Sequence, residues 1–257
     1  MKVHTHIANA FMPLRNAIEQ LDETFGNADK VLHAKRNTIK LLTISDLQIV
    51  AKKFRSPNHL QGWIYKNFRH SKARRSFEHA QHLATLGINT PAPIAYVEHY
   101  NNYRLGSSYY LCAYCEHNFS MQEVMQNPDH EKFKIIEAFT RFTYAMHEAG
   151  VLHLDHNAGN TLVTRSNEGY SFSVIDINRM QFRLPPKTLT LTQRLNNFVR
   201  LTDNKEVMRR FATIYAQCVR TNPETCITLL EKLKNKHHKK LLRKQCLKKL
   251  INGQAPK

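Results

Sequence analysis

Val151-Leu-His-Leu-Asp-His-Asn-Ala-Gly-Asn-Thr-Leu-Val163 places Asp155 five positions before Asn160, and Phe172-Ser-Val-Ile-Asp-Ile-Asn178 adds a second acid, Asp176. An Asp and an Asn at this spacing arise by chance in many chains, so the neighbours must give the pair its weight. Upstream, Ile135, Ala138, Phe139, Phe142 and Met146 form an apolar stripe at helical spacing that Gly150 closes. Downstream, Thr161 to Thr164 and Tyr170 to Ile175 flank Ser166-Asn-Glu-Gly169, the pattern of a β-hairpin. Asp155 is therefore expected on a loop that leaves a buried helix. The hairpin should return the chain so that Asp176 ends close to Asn160.

These residue types fit phosphoryl transfer. That chemistry needs one carboxylate to orient an attacking hydroxyl and take its proton, and oxygen ligands that hold Mg²⁺ against nucleotide phosphates. Asn160 and Asp176 supply hard oxygen donors, which suit Mg²⁺ better than zinc, a metal that favours His or Cys. His153 and His156 then read as supports of the loop rather than metal ligands. Positive charge for the phosphates is offered by Lys52 and Lys53. Side chains alternate along a strand, so only one of the two can face a cleft; Lys52 is favoured, and the choice stays open at this level. Glu78 is the acid best placed in sequence to hold that lysine.

Working outward, residues 1 to about 27 are weakly patterned and read as a lead-in. Val31-Leu32, Ile39-Lys-Leu-Leu42 and Leu47 to Phe54, separated by Lys35-Arg-Asn37 and Ser45-Asp46, predict a three-strand meander over about 30–54. A helix is expected over about 63–86, with Ala73, Phe77, Ala80 and Ala84 one turn apart and Gly87 as its stop. Strands follow over about 94–115. The expected fold class is α+β in two lobes: residues 1–116 as a small N-lobe with an antiparallel sheet and one main helix, and residues 117–257 as a mostly helical C-lobe. Its later helices are marked by Val207 to Cys218, Ile227 to Leu233 and Leu241 to Ile251.

The chain has 257 residues, 42% of them hydrophobic, which is enough for a substantial folded core. No apolar run approaches the roughly 20 residues of a membrane span, and no apolar h-region follows Met1, so a cytoplasmic address is expected. Cys112 and Cys115 form a C-x-x-C inside a strand-like run and read as reduced structural thiols. A net charge of +18 implies an anionic partner. The charge gathers between Glu231 and Lys257, where ten Lys/Arg face one acid. The aromatics sit at core-like spacings and no DNA- or RNA-binding motif is present, which disfavours nucleic acid as that partner.

His153-Leu-Asp-His-Asn-Ala-Gly-Asn160 resembles the catalytic loop of the protein-kinase-like superfamily, and Asp176-Ile-Asn178 stands where its D-F-G motif would be. Lys52-Lys-Phe-Arg-Ser-Pro57, Ser71-Lys-Ala-Arg-Arg-Ser-Phe-Glu78, Thr90-Pro-Ala-Pro-Ile-Ala-Tyr96 and Ile175-Asp-Ile-Asn-Arg-Met180 are similar to the bacterial lipopolysaccharide kinase family, the Kdo and core-heptose kinases. The resemblance implies a bilobal kinase-like fold and an ATP- and Mg²⁺-dependent transfer to a sugar of the lipopolysaccharide inner core. That substrate is an anionic glycolipid at the inner face of the inner membrane, so peripheral contact with an anionic membrane surface is implied as well. Carried over, Asp155 is the base, Asn160 and Asp176 bind Mg²⁺, Lys52 holds phosphates, Glu78 pairs with Lys52, and Tyr114 to Glu116 form the hinge that receives adenine.

The chain departs from protein kinases in three places. No G-x-G-x-x-G is present; Lys35-Arg-Asn37 occupies that turn, leaving Arg36 or backbone amides to cover the phosphates. Asn178 replaces the D-F-G glycine. No A-P-E follows Met180, which argues against a protein substrate. The missing glycine loop also keeps a second class open, a pseudokinase that serves as a lipid- or protein-binding module.

Overall fold

The structure, a computed structural model, describes residues 2–28, 30–101, 104–126, 130–183 and 189–251, with backbone alone at 130 and 248–251. The chain divides into two compact units, one of Met1–Glu116 with Ser173–Asn178 and one of His117–Phe172 with Arg179–Lys257.

The first unit opens with β1 (Lys2–Ile7), α1 (Arg15–Glu19) and α2 (Leu21–Asn27). This is the stretch that sequence patterning reads as a lead-in, and the structure corrects that reading. β1 pairs antiparallel with a later strand, from Lys2 opposite Tyr100 to Ile7 opposite Ala95. Leu14, Ile18, Leu21 and Phe25 are buried in the same cluster as Leu42, Ile49, Ala51 and Leu111. The elements are too short to show a period of their own, and their order comes from the sheet they pack on.

The expected meander is β2 (Val31–Ala34), β3 (Thr38–Ile44) and β4 (Leu47–Phe54). Ser45 and Asp46 both have positive φ, 48° and 64°, the two-residue turn that matches the twist of paired strands. The single helix expected over 63–86 is two: α3 (His59–Asn67) and α4 (Lys72–Thr85). Each has its own N-cap, Asn58 accepting from the Gln61 amide (2.9 Å) and Ser71 from the Arg74 amide (3.0 Å). Gly62 lets α3 lie against the sheet, since a Cβ there would stand 2.8 Å from the Leu105 carbonyl oxygen. α4 buries Ala73, Phe77, Ala80 and Leu83, with Leu83 in place of the expected Ala84. β5 (Pro93–Asn101) and β6 (Arg104–Ala113) complete a six-stranded antiparallel sheet in the order β1-β5-β6-β4-β3-β2. Cys112 is buried on β6, and burial pushes its thiol up to about 12, which suits an inert structural residue.

In the second unit β7 (Phe119–Ser120) and α5 (Met121–Gln126) precede the long α6 (His130–Glu148), which ends before Gly150 at φ +74°. β8 (Val151–His153), β9 (Thr161–Ser166), β10 (Gly169–Val174) and β11 (Met180–Phe182) form two small sheets, ordered β10-β9-β7 and β11-β8. α7 (Leu191–Asn196), α8 (Lys205–Cys218) and α9 (Pro223–Ile251) follow. Ile136, Phe139, Phe172, Leu195, Phe198, Phe211 and Tyr215 form the core between these helices. α9 is one continuous helix where two were expected. Its first turns bury Cys226, Ile227 and Leu230, while Leu241, Leu242 and Leu247 are exposed. No helix among the described residues is long and apolar enough to cross a membrane.

Candidate active site

In the first unit, Lys52 lies on β4 opposite Ile39 and Tyr110. Its Nζ is 2.5 Å from Oδ1 of Asp176, and the side chain is 13% exposed. Lys53 points to the other face, where its Nζ lies over the rings of Tyr109 (5.0 Å) and Phe25 (5.8 Å). Alternation along one strand thus sends the two lysines to different tasks.

The segment that carries Asp176 is fastened from several sides. The Val174 amide donates to the Asn89 carbonyl (3.0 Å), and the Thr90 hydroxyl to the Val174 carbonyl (2.8 Å). From α4, Arg75 donates to the Asn178 carbonyl (2.8 Å) and His79 Nδ1 lies 2.8 Å from the Ile177 carbonyl. Asn178 Nδ2 donates to the same Asp176 oxygen that Lys52 meets, at 2.7 Å. Asp176 itself has φ +55°. Left-handed backbone is uncommon outside glycine, although Asp tolerates it. Here it is held by fixed neighbours, as at many functional sites.

Glu78 has different partners from those expected. Its carboxylate takes Arg74 Nε at 2.7 Å and His70 Nδ1 at 2.8 Å, while Lys52 goes to Asp176. Arg74 sits one helical turn before Glu78 on α4 and needs no tertiary geometry to reach it. Burial alone would raise the Glu78 carboxyl, but hydrogen bonds from Arg74 and His70 outweigh it and leave its pKa below the usual value. Tyr114 and Glu116 lie past the end of β6, where the chain leaves this unit; the Tyr114 amide donates to the Gln48 carbonyl at 2.9 Å. On the turn between β2 and β3, Arg36 lines a cavity of about 300 Å³ together with Arg55 and Lys72.

In the second unit, Asp155 follows β8 and is held through its backbone and its carboxylate. Its amide donates to His153 Nδ1 (3.2 Å), and its carbonyl accepts from Asn160 Nδ2 (2.9 Å) and Asn157 Nδ2 (3.1 Å). The five-residue spacing therefore has a local meaning, because the Asn160 amide nitrogen ties the loop to Asp155. A Cβ on Gly159 would stand 2.9 Å from Oε1 of Gln122, so a side chain there would have to displace the end of that glutamine.

The Asp155 carboxylate lies between two guanidiniums. Arg200 Nη1 is 2.5 Å from Oδ1 and Arg179 Nη1 is 3.3 Å from Oδ2. Below the loop, His153 is fully buried and its carbonyl accepts from Asn197 Nδ2 (3.3 Å). Asn197 Oδ1 in turn meets His147 Nε2 (3.1 Å), and His147 Nδ1 meets the Tyr215 hydroxyl (2.8 Å). His156 stacks on His153 with ring centroids 5.6 Å apart, and burial pushes its pKa well below the ordinary value. His147 and His156 are held below the ordinary imidazole pKa by burial, and all three rings pack beneath the loop.

Among the described residues no group of three or more His, Cys, Asp or Glu could hold a metal ion. Sequence reasoning missed Arg179 as a partner of Asp155, although it stands inside a quoted motif. It missed Arg200 altogether, because no spacing links that residue to the loop.

Set beside known proteins, residues 52–215 match the model of the lipopolysaccharide kinase (Kdo/WaaP) family. That match covers more than half of the chain, and the chain belongs to this family. No curated protein matches its sequence. Among solved structures it is similar to WaaP in complex with acyl carrier protein, at TM-score 0.62 and 18% identity over 92% of this chain and 98% of that one. The fold is accordingly that of a WaaP-type kinase, with an antiparallel N-terminal sheet and a helical C-terminal part.

Proposed function

We propose that this protein transfers the γ-phosphoryl group of ATP to a sugar hydroxyl of the lipopolysaccharide inner core. The observation that carries the reading is the pairing of Lys52 with Asp176 on a segment fastened by α4, in a chain of this family. Asp155 takes the proton of the acceptor hydroxyl as its oxygen attacks the γ-phosphorus. The new O–P bond forms, the bond to the β,γ-bridging oxygen breaks, and ADP leaves with that electron pair. Lys52 holds phosphate oxygens, and Arg36 stands in for the absent glycine loop. Asn160 and Asp176 hold Mg²⁺, which when bound neutralises phosphate charge. Tyr114 and Glu116 border the adenine.

The acceptor is a lipid-linked anion, and the basic face of α9 fits peripheral contact with the anionic cytoplasmic face of the inner membrane. Lys232, Lys236, Lys239, Lys240 and Arg243 line one groove along that helix, and Leu241, Leu242 and Leu247 of the same helix are exposed. Basic side chains beside exposed leucines suit a bilayer interface.

Phosphate transfer from ³²P-labelled ATP with Mg²⁺ to purified lipopolysaccharide cores tests the reading, with protein and free sugars as controls. Labelled core from the wild type and none from Asp155→Asn or Asp176→Asn is the expected result. No labelling from any of the three proteins returns the pseudokinase reading, and equal labelling from all three removes Asp155 and Asp176 from the transfer.

A further inference from the structure

The Asp155 carboxylate is 20% exposed, whereas the side chains of Arg179 and Arg200 are 51% and 42% exposed. Two cations on one carboxylate leave an excess of positive charge at the position where an acceptor hydroxyl must approach. Both carboxylate oxygens of Asp155 are engaged by these charge-assisted contacts, so an acceptor hydroxyl has to displace a guanidinium to reach either one. The arginines are not loosely hung. Arg179 ends the 3-10 turn Ile177–Arg179, and its carbonyl accepts from the Leu154 amide on the catalytic loop (3.3 Å). Arg200 ends the turn Asn197–Arg200, in which Asn197, Phe198 and Val199 are buried and Asn197 is bonded to the His153 carbonyl.

The nearby acid Asp203 is taken by Lys234 of α9 (2.6 Å), whose Nζ also donates to the carbonyls of Val199 and Thr202. His237 is held below its ordinary pKa by burial first, and then by Arg200, Lys234 and Lys240. Among the described residues, Asp155 is the carboxylate that both guanidiniums meet.

We propose that Arg179 and Arg200 are the acceptor-recognition pair, binding an anionic group of the sugar substrate, carboxylate or phosphate, and releasing Asp155 to act as base when they do so. Guanidinium forks match both anions, and a planar bidentate fit gives the orientation that phosphoryl transfer needs. A neutral sugar would leave Asp155 engaged and would be a poor acceptor for that reason. This inference rests on the phosphotransferase reading above and assigns its specificity to two residues outside the Lys, Asp and Asn set.

The test uses the full chain and three acceptors: intact inner core, core with its carboxylates reduced to alcohols, and core stripped of phosphate. Arg179→Gln and Arg200→Gln remove the charge, and Arg200→Lys keeps it in case the Gln variant folds poorly. The wild type should lose at least about tenfold in kcat/KM on whichever neutralised core lacks the recognised anion, which also tells carboxylate from phosphate. The Gln variants should lose a similar factor on intact core and almost nothing further on that neutralised core, with Arg200→Lys in between. Equal losses on intact and neutralised cores would make the arginines mere positioners of Asp155 and overturn the proposal, as would a wild type indifferent to all three acceptors. Calorimetric titration of intact core without nucleotide is the arm independent of turnover. If the wild type transfers no phosphate, the kinase reading fails. Binding lost in both Gln variants would still support the anion site, and unchanged binding would overturn it.

Discussion

Lys52 Nζ and Asp176 Oδ1 meet at 2.5 Å although 124 positions separate them in the chain. The contact joins the middle of β4 to a segment that the chain inserts after the β9–β10 hairpin, and it separates two adjacent lysines, Lys52 toward Asp176 and Lys53 toward the rings of Phe25 and Tyr109. Lys52→Ala is expected to lower phosphate transfer by two orders of magnitude or more, the usual cost of removing one charge-stabilising donor. Lys53→Ala should keep activity and instead lose the ring contacts with Phe25 and Tyr109, about 0.5–1 kcal/mol. Steady-state kinetics and thermal midpoints of the two variants separate the roles, and the reverse pattern would move phosphate binding to Lys53.

Glu78 offers a contrasting case. Its carboxylate belongs to Arg74 and His70, both partly exposed. Such pairs contribute little, typically below about 1 kcal/mol. Glu78→Gln should therefore cost less than about threefold in kcat/KM, far less than Lys52→Ala. A loss as large as that of Lys52→Ala would mean that Glu78 leaves Arg74 for Lys52 in the working state.

The Asp155–Asn160 loop and the meander are legible because each carries its own local signal. Asn160 bonds the backbone of Asp155 from five residues away, and Ser45-Asp46 is a turn by composition. What escaped was order imposed from a distance. β1, α1 and α2 have no period until β5 and the sheet give them a surface, and Arg200 reaches Asp155 only through the buried turn it ends. Removing residues 1–27 would expose the pockets that Ile7, Leu14, Ile18, Leu21 and Phe25 fill. Each such side chain contributes about 1.5–3 kcal/mol by burial, so the truncated chain should be recovered insoluble, or with a cooperative transition near or below room temperature.

The basic face of α9 makes a prediction about ionic strength. Each Lys or Arg near an anionic bilayer contributes about 1 kcal/mol, so Lys236→Glu with Lys239→Glu and Lys240→Glu should weaken sedimentation with phosphatidylglycerol vesicles by a hundredfold or more. Wild-type binding should also fall steeply as salt is raised. Equal sedimentation of wild type and triple variant at low salt would remove α9 from the membrane contact. Phosphorylation of a delipidated core should be unaffected, because these lysines are placed outside the reaction.

The buried histidines beneath the catalytic loop tie stability to pH. His147 is held at about 4, by burial above all, with Asn197 opposing and Arg194 adding to the depression. His156 is depressed too, by burial and by its neighbours His153 and His147. In the unfolded chain both titrate near 6.5. At pH 7.5 folded and unfolded states alike are neutral there, and the full stability is present. As pH falls below 6.5 the unfolded chain takes up protons that the folded one refuses, and stability is lost until the folded groups also titrate. For His147 that window runs from about 6.5 down to about 4. Between pH 7.5 and 5 the loss should be about 2 kcal/mol for His147, with His156 adding to it in the same direction. Urea midpoints measured across this range should fall accordingly, and His147→Gln, which can still reach Tyr215 or Asn197, should make the slope shallower. A midpoint that stays level from pH 7.5 to 5 would mean that these rings accept protons inside the fold.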